Sequence, residues 1–132
     1  MMSFPRPEPG LVIAYAYLWR NEARKGLEEG LKDGRPCMIL FVAERVVILP
    51  ITHTFANDDG CLEIPASVKT AVGLDDRPQW IVTGECNTFV WPGFDVRIEP
   101  QYGPVPPNFF NKVVEAVRTR IASASVAMIA RD

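Results

Sequence analysis

The stretch GRPCMILFVAERVVILPIT, residues 34–52, decides the fold. It holds two apolar runs, 35–42 and 44–51, with almost nothing between them. The second run is rich in β-branched residues, the first is apolar from Cys37 to Val42, and each is too short for an ordinary buried helix, so each reads as a strand. Joined so closely, they read as a tight antiparallel pair in the core. Such a pair places Arg35, which opens the first strand, and Thr52, which ends the second, at one edge of the sheet.

Upstream, LVIAYAYL (11–18) reads as a further buried strand, preceded by a Pro-rich lead. Residues 19–34, WRNEARKGLEEGLKDG, hold three glycines and eight charged side chains with no sustained apolar period. That stretch reads as a long solvated loop with room for a frayed helical turn, and loops of this length inside a compact domain are often functional. Downstream, a polar loop (52–60) with the turn signal NDDG leads to a short strand at 61–65. A short helix over 66–73 closes on Gly73. Residues 79–84 read as a strand, 87–93 as a turn, and 94–98 as a final strand with one wet face. The spacing predicts a helix over 106–122, capped by Asn108, with Phe110, Val113, Val114, Val117 and Ile121 as its apolar stripe. Residues 123–132 read as a soft tail. No repeat or linker divides the chain, so a single domain is expected over 1–132, with its core at about 9–122. The architecture expected is α+β: a small, partly open antiparallel β-barrel with a short inserted helix and a C-terminal helix.

Composition narrows the function. The chain has 132 residues and formal net charge −2, which argues against coating nucleic acid through a general basic field. It does not argue against a local basic patch. No apolar run reaches the ~20 residues of a membrane span, and MMSFPRPEPG lacks the apolar core of a signal peptide. The three scattered cysteines suit a reducing cytoplasm better than a disulfide framework. With a single histidine, His53, a histidine-rich metal site is impossible within one chain. The motifs of α/β-hydrolases, P-loop proteins, dinucleotide-binding proteins and zinc peptidases are all absent.

Several stretches, in this order, resemble the PemK/MazF family of toxin endoribonucleases. They are the strand at 11–18, the charged loop, GRPCMIL (34–40), VVILPITHT (46–54), LEIP (62–65) and WIVTGECN (80–87). The resemblance spans roughly 9–120, and NTFVWPG (87–93) departs from the usual pattern. It implies an SH3-like barrel, a homodimer, a cognate antitoxin as partner, and cleavage of single-stranded RNA with neither metal nor other cofactor. Its usual glutamate, a few residues before Arg-Pro, falls here at Gly30, flanked by Glu28, Glu29 and Asp33.

The residues suit that chemistry in their own right. Metal-free RNA cleavage needs a base for the 2′-OH and a cation where phosphate charge grows in the transition state. Arg35 suits the second task, because a guanidinium stays charged and forks onto phosphate oxygens. Thr52 can donate a hydrogen bond to the same phosphate. Glu29, then Glu28, are the candidate bases. Arg20, Arg24 and Lys32 would grip RNA locally, and Trp19 and Trp91 are candidates for stacking on bases or for dimer contact. His53, beside Thr52, could give a proton to the leaving oxygen, since imidazole is the side chain that exchanges protons near neutral pH. Plainer roles stand beside these: a strand-start arginine on the surface, a threonine closing a turn, a solubilising charged loop, an exposed histidine, and Trp80 in the core. The alternative function is a non-catalytic protein-binding module of the same fold, or an inactive relative.

Overall fold

A computed structural model describes residues 3–26, 34–55, 60–123 and 126–131. Its elements run β1 (Val12–Tyr15), α1 (Arg20–Arg24), β2 (Arg35–Val42), β3 (Val46–Thr52), β4 (Cys61–Glu63), α2 (Ala66–Val72), β5 (Trp80–Val82), β6 (Glu85–Phe89), β7 (Val96–Arg97), α3 (Pro107–Ala122) and β8 (Ala127–Ala130).

The hairpin is as read from the sequence. Cys37 stands opposite Pro50, Met38 opposite Leu49 and Ile39 opposite Ile48, and the register slips between Ile39 and Phe41. Successive side chains enter two different cores, since strand residues alternate faces. Met38, Leu49 and Ile51 join Val12, Ile81, Phe109, Val113 and Val117 beneath α3. Cys37, Ile39 and Ile48 join Ile13, Tyr15, Tyr17, Phe89 and Val96 on the opposite face. A strand covered on both faces has no wet side, and this is why both runs are continuously apolar.

Among the described residues all eight strands join one sheet, along the path β4-β5-β3-β2-β1-β7, with β6 paired to β3 and β8. That path does not return on itself, so the barrel expectation gives way to an antiparallel, strand-rich sheet that is not closed. One pair is parallel: β6 and β8 run together from Glu85 opposite Ala127 to Thr88 opposite Ala130. The α3 crossover supplies the length that a parallel connection needs.

Other expectations are corrected at their ends. Residues 123–132 contain strand β8, and Arg131 beyond it is buried. The alternating Glu85, Asn87 and Phe89 extend a strand into the stretch expected to turn, and the turn occupies 90–95. Helix α3 starts at Pro107, where a missing N–H costs nothing, so Asn108 lies inside the helix and does not cap it. Its buried stripe is Phe109, Val113 and Val117. Gly73, at φ 92°, closes α2 as expected. No helix among the described residues is long and apolar enough to cross a membrane.

The stripe correction can be measured. Val113 is fully buried while Ile121 is 61 % exposed. Val113→Ala should cost about 2 kcal/mol, from two lost methyl groups and the space they leave. Ile121→Ala should stay within about 0.5 kcal/mol in the same denaturant titration.

The thiols give a second check. Burial pushes the Cys37 thiol far above its ordinary range. Burial, with the Glu85 charge adding, pushes Cys86 up to about 11. Cys61 is only partly buried. At pH 8 an aromatic disulfide reagent should therefore label Cys61 first, and should reach Cys37 and Cys86 at comparable rates only in denaturant.

Candidate functional site

Arg35 enters β2 from Gly34, whose φ of 70° favours a residue without a Cβ. In the ladder with β1 it stands opposite Tyr15. Continuing the β2–β3 register from Cys37–Pro50 by two residues sets Arg35 opposite Thr52. The side chain bridges that gap, since Arg35 Nη1 donates to the carbonyl of Ile51 at 3.1 Å. Its Cζ lies 5.0 Å from the centre of the Trp19 ring, within cation–π range. The buried Nε has no acceptor among the described residues. Burial lowers the Arg35 pKa from its ordinary value, while the charges of Cys37 and Glu22 oppose that shift. The group stays charged, as arginine does in proteins. It is thus a half-buried cation held by an aromatic face and a neutral carbonyl.

Thr52 is nearly buried, and its Oγ1 accepts from the Thr54 N–H at 3.1 Å. The hydroxyl closes the turn, and among the described residues no acceptor takes its own proton. Across β5 Thr52 faces Trp80. Trp80 is half-buried and carries the exposed Phe55 ring at 5.7 Å, so it is not the core residue expected.

Trp19 packs edge-on against Tyr17 at 5.0 Å, and its backbone N–H donates to Glu22 Oε1 at 3.0 Å. Helix α1 follows at once and carries Arg20, half-buried, and Arg24, exposed. His53 Nε2 lies 3.0 Å from Asp75 Oδ2, so the histidine is tied to a carboxylate. Trp91 is stacked on Phe89 at 6.1 Å. Phe89 pairs with Val46 on β3, and its ring stacks on Tyr15, the β1 partner of Arg35, at 4.7 Å. The structure thus brings Arg35, Thr52 and Trp19 together and sets Arg20 and Arg24 just beyond Trp19, while Trp91 packs on the same aromatic cluster as Trp19. Glu28, Glu29, Lys32 and Asp33 lie outside the described residues.

Two groups went unread in the sequence. Glu22 is the described carboxylate whose charge acts on Arg35, and nothing in its spacing singled it out. The buried Arg131 and the partly buried Asp95 form a pair at 2.5 Å, reachable only once β8 is recognised as a strand. A cavity of about 670 Å³ opens beside that pair, lined by Tyr15, Phe89, Phe94, Asp95, Ile129 and Arg131. Neither Arg35 nor Thr52 lines it. Among the described residues no group of three or more His, Cys, Asp and Glu could hold a metal ion.

The backbone matches solved structures. The toxin MazF-mt6 of Mycobacterium tuberculosis aligns over 85 % of this chain and 96 % of its own, with TM-score 0.57 and 16 % identity. A MazE–MazF structure from Deinococcus radiodurans aligns over 88 % and 96 %, with TM-score 0.57 and 15 % identity. The chain has the MazF fold. No family model matches it, and neither does any curated protein sequence. At this identity the MazF likeness extends to the fold and leaves the roles of individual side chains to be argued from the site.

Asp75 offers a direct test of the electrostatics around His53. Its carboxylate accepts from Arg77 Nη2 and the Arg77 N–H, both at 3.0 Å, and meets His53. Hydrogen bonding from Arg77, with a smaller part from His53, lowers its pKa to about 2. A depressed carboxylate stabilises the fold at pH above its unfolded pKa of ~3.9, and that contribution fades as pH falls toward the folded value. An NMR titration should place the Asp75 midpoint near 2, and Arg77→Ala should move it back toward ~3.9.

Proposed function

We propose that this chain is the toxin of a type II toxin–antitoxin pair, a metal-independent endoribonuclease that cuts single-stranded RNA. The observation that carries the reading is the state of Arg35. It is a half-buried guanidinium with an orphaned Nε, held by Trp19 and the Ile51 carbonyl and with no ion pair to a carboxylate among the described residues. A solubilising surface arginine has no need of that setting. A cation meant for a phosphate does, because an aromatic face and a carbonyl orient it without neutralising it.

In the reaction the ribose 2′-oxygen attacks the adjacent phosphorus and the bond to the 5′-oxygen breaks. The 2′-OH proton goes to a carboxylate of residues 27–33, Glu29 first and Glu28 second. Arg35 stabilises the charge gathering on the phosphoryl oxygens, and Thr52 donates a hydrogen bond that holds the same phosphate. His53 or solvent returns a proton to the leaving oxygen. The products carry a 2′,3′-cyclic phosphate and a 5′-OH. Arg20, Arg24 and Lys32 grip the strand, and Trp19 lies at the mouth of the loop. Trp91, half-buried on the same aromatic cluster as Trp19, offers a further ring to RNA or to a second copy of the chain. The wider reading is a single-domain, SH3-like, cytoplasmic homodimer with an antitoxin partner. The MazE–MazF neighbour supports the last of these.

A second reading rests on a specific observation: the position five residues before Arg35 is Gly30, and net charge is −2. Under it the chain is a protein-binding module of the same fold that does not cut RNA.

One experiment separates the two. Purified protein is incubated with mixed-sequence RNA in EDTA. The enzyme reading expects cleavage to continue, with cyclic-phosphate ends. Arg35→Ala should slow it by about 10²–10³-fold while leaving the fold intact. Arg35→Lys should restore only part, since an ammonium lacks the fork. Intact RNA, or cleavage lost on chelation, overturns the reading.

A further inference from the structure

The segment from Ala16 to Trp19 joins β1 to α1, and its last side chain carries Arg35. It lies in no strand, so its buried backbone groups need partners from elsewhere. Side chains of β6, and Arg131 just past β8, supply them at alternate residues. Arg131 Nη1 donates to the Ala16 carbonyl at 2.9 Å. Asn87 Oδ1 accepts the Leu18 N–H at 2.9 Å, and Asn87 Nδ2 donates to the Leu18 carbonyl at 2.8 Å. Glu85 Oε1 accepts the Arg20 N–H at 3.0 Å and the Tyr17 hydroxyl at 3.1 Å. The supports are themselves joined, because Arg131 Nη1 also donates to Asn87 Oδ1 at 3.0 Å and Nη2 to Asp95 Oδ2 at 2.5 Å. Asn87 is wholly buried, and so, nearly, is the Arg131 side chain, at 4 % exposed.

We propose that Asn87 and Arg131 are positioning residues, which fix the Leu18–Trp19 backbone so that the Trp19 ring stays against the Arg35 guanidinium. The assignment to catalysis rests on the ribonuclease reading above. Asn87 grips Leu18 by both its N–H and its carbonyl, and so sets the direction in which the next residue leaves. Arg131 holds the Asn87 amide oxygen in place and ties Ala16 two residues earlier. With this support gone, Trp19 keeps its contacts with Tyr17 and Glu22, but the backbone that aims its ring at Arg35 is no longer fixed, and the guanidinium rests more on the Ile51 carbonyl. Misplacing a catalytic cation by about 1 Å can cost ~10²-fold in rate. Substrate held through other groups would bind nearly as before.

The test uses the full chain and four variants: Arg131→Met, Arg131→Lys, Asn87→Asp and Trp19→Phe. Lysine keeps a charge beside Asp95 and cannot reach Ala16, Asn87 and Asp95 together. Aspartate keeps the acceptor for Leu18 N–H and loses the donor to its carbonyl. Folding is checked by circular dichroism, and kcat and KM are measured on one RNA. The tryptophan emission that Trp19→Phe removes is taken as the Trp19 signal. Arg131→Met is expected to lose about 10- to 100-fold in kcat, with KM within about twofold and the Trp19 signal shifted to the red. Arg131→Lys should recover part of both, and Asn87→Asp should fall between. Folded variants with unchanged kcat and an unmoved Trp19 signal overturn the proposal, as does a rise in KM alone. If Arg131→Met does not fold, Arg131→Lys and Asn87→Asp decide by the same criteria. If the wild-type chain cuts no RNA, the ribonuclease reading fails. The Trp19 signal then still decides whether the two residues hold that ring.

Discussion

The β2–β3 hairpin is buried on both faces, and the other elements are arranged by that fact. A two-faced hairpin needs two covers. Helix α3 supplies one, through Phe109, Val113 and Val117. Aromatic side chains supply the other, with Tyr15 stacked on Phe89 at 4.7 Å and Trp91 beyond it. Because α3 must lie across one face, the chain emerging from it is carried back to the sheet beside β6, where β8 adds in parallel. The same constraint brings the ends of β2 and β3 to one edge, which is where Arg35 and Thr52 meet.

The aromatic face does more than fill space. It is crossed by a polar seam in which Glu85, Asn87, Asp95 and Arg131 are fully or largely withdrawn from water. Buried charges and amides are tolerable only when their hydrogen bonds are met. Here they are met largely by the backbone of residues 16–20 and by one another. Tyr17 shows the character of the seam: burial and the adjacent Glu85 charge push its phenol well above the ordinary range. The seam runs up to Trp19, so the least hydrophobic part of the core borders the candidate site.

What could be read from the sequence was what local pattern controls. The hairpin, the two helices and the Arg35–Thr52 edge follow from runs of apolar residues, a C-terminal glycine and a short join. What could not be read depends on residues distant in sequence. VAMIA (126–130) is apolar but only five residues long and shows no alternation, so nothing local announces a strand, and it becomes one because β6 offers it an edge. In the stripe of α3, Val113 and Val117 are buried as read, but Phe109 takes the deeper place beside the half-buried Phe110, and Ile121 faces water. Trp80 reads as core until Phe55 is seen lying on it. Glu22 reads as one charge among eight, and its bearing on Arg35 comes from where α1 turns. Asn87 was assigned to a turn, since asparagine favours turns when nothing else is known.

The Arg131–Ala16 hydrogen bond spans 115 positions, close to the longest separation this chain allows. Closing a loop of that size is entropically late work in folding, because nearer contacts form before it is rewarded. The hairpin, by contrast, closes over a handful of residues. A chain emerging in order, amino end first, therefore holds Arg35 in a formed hairpin well before residues 16–19 receive their final support. The architecture separates in time the making of the scaffold from the setting of the site.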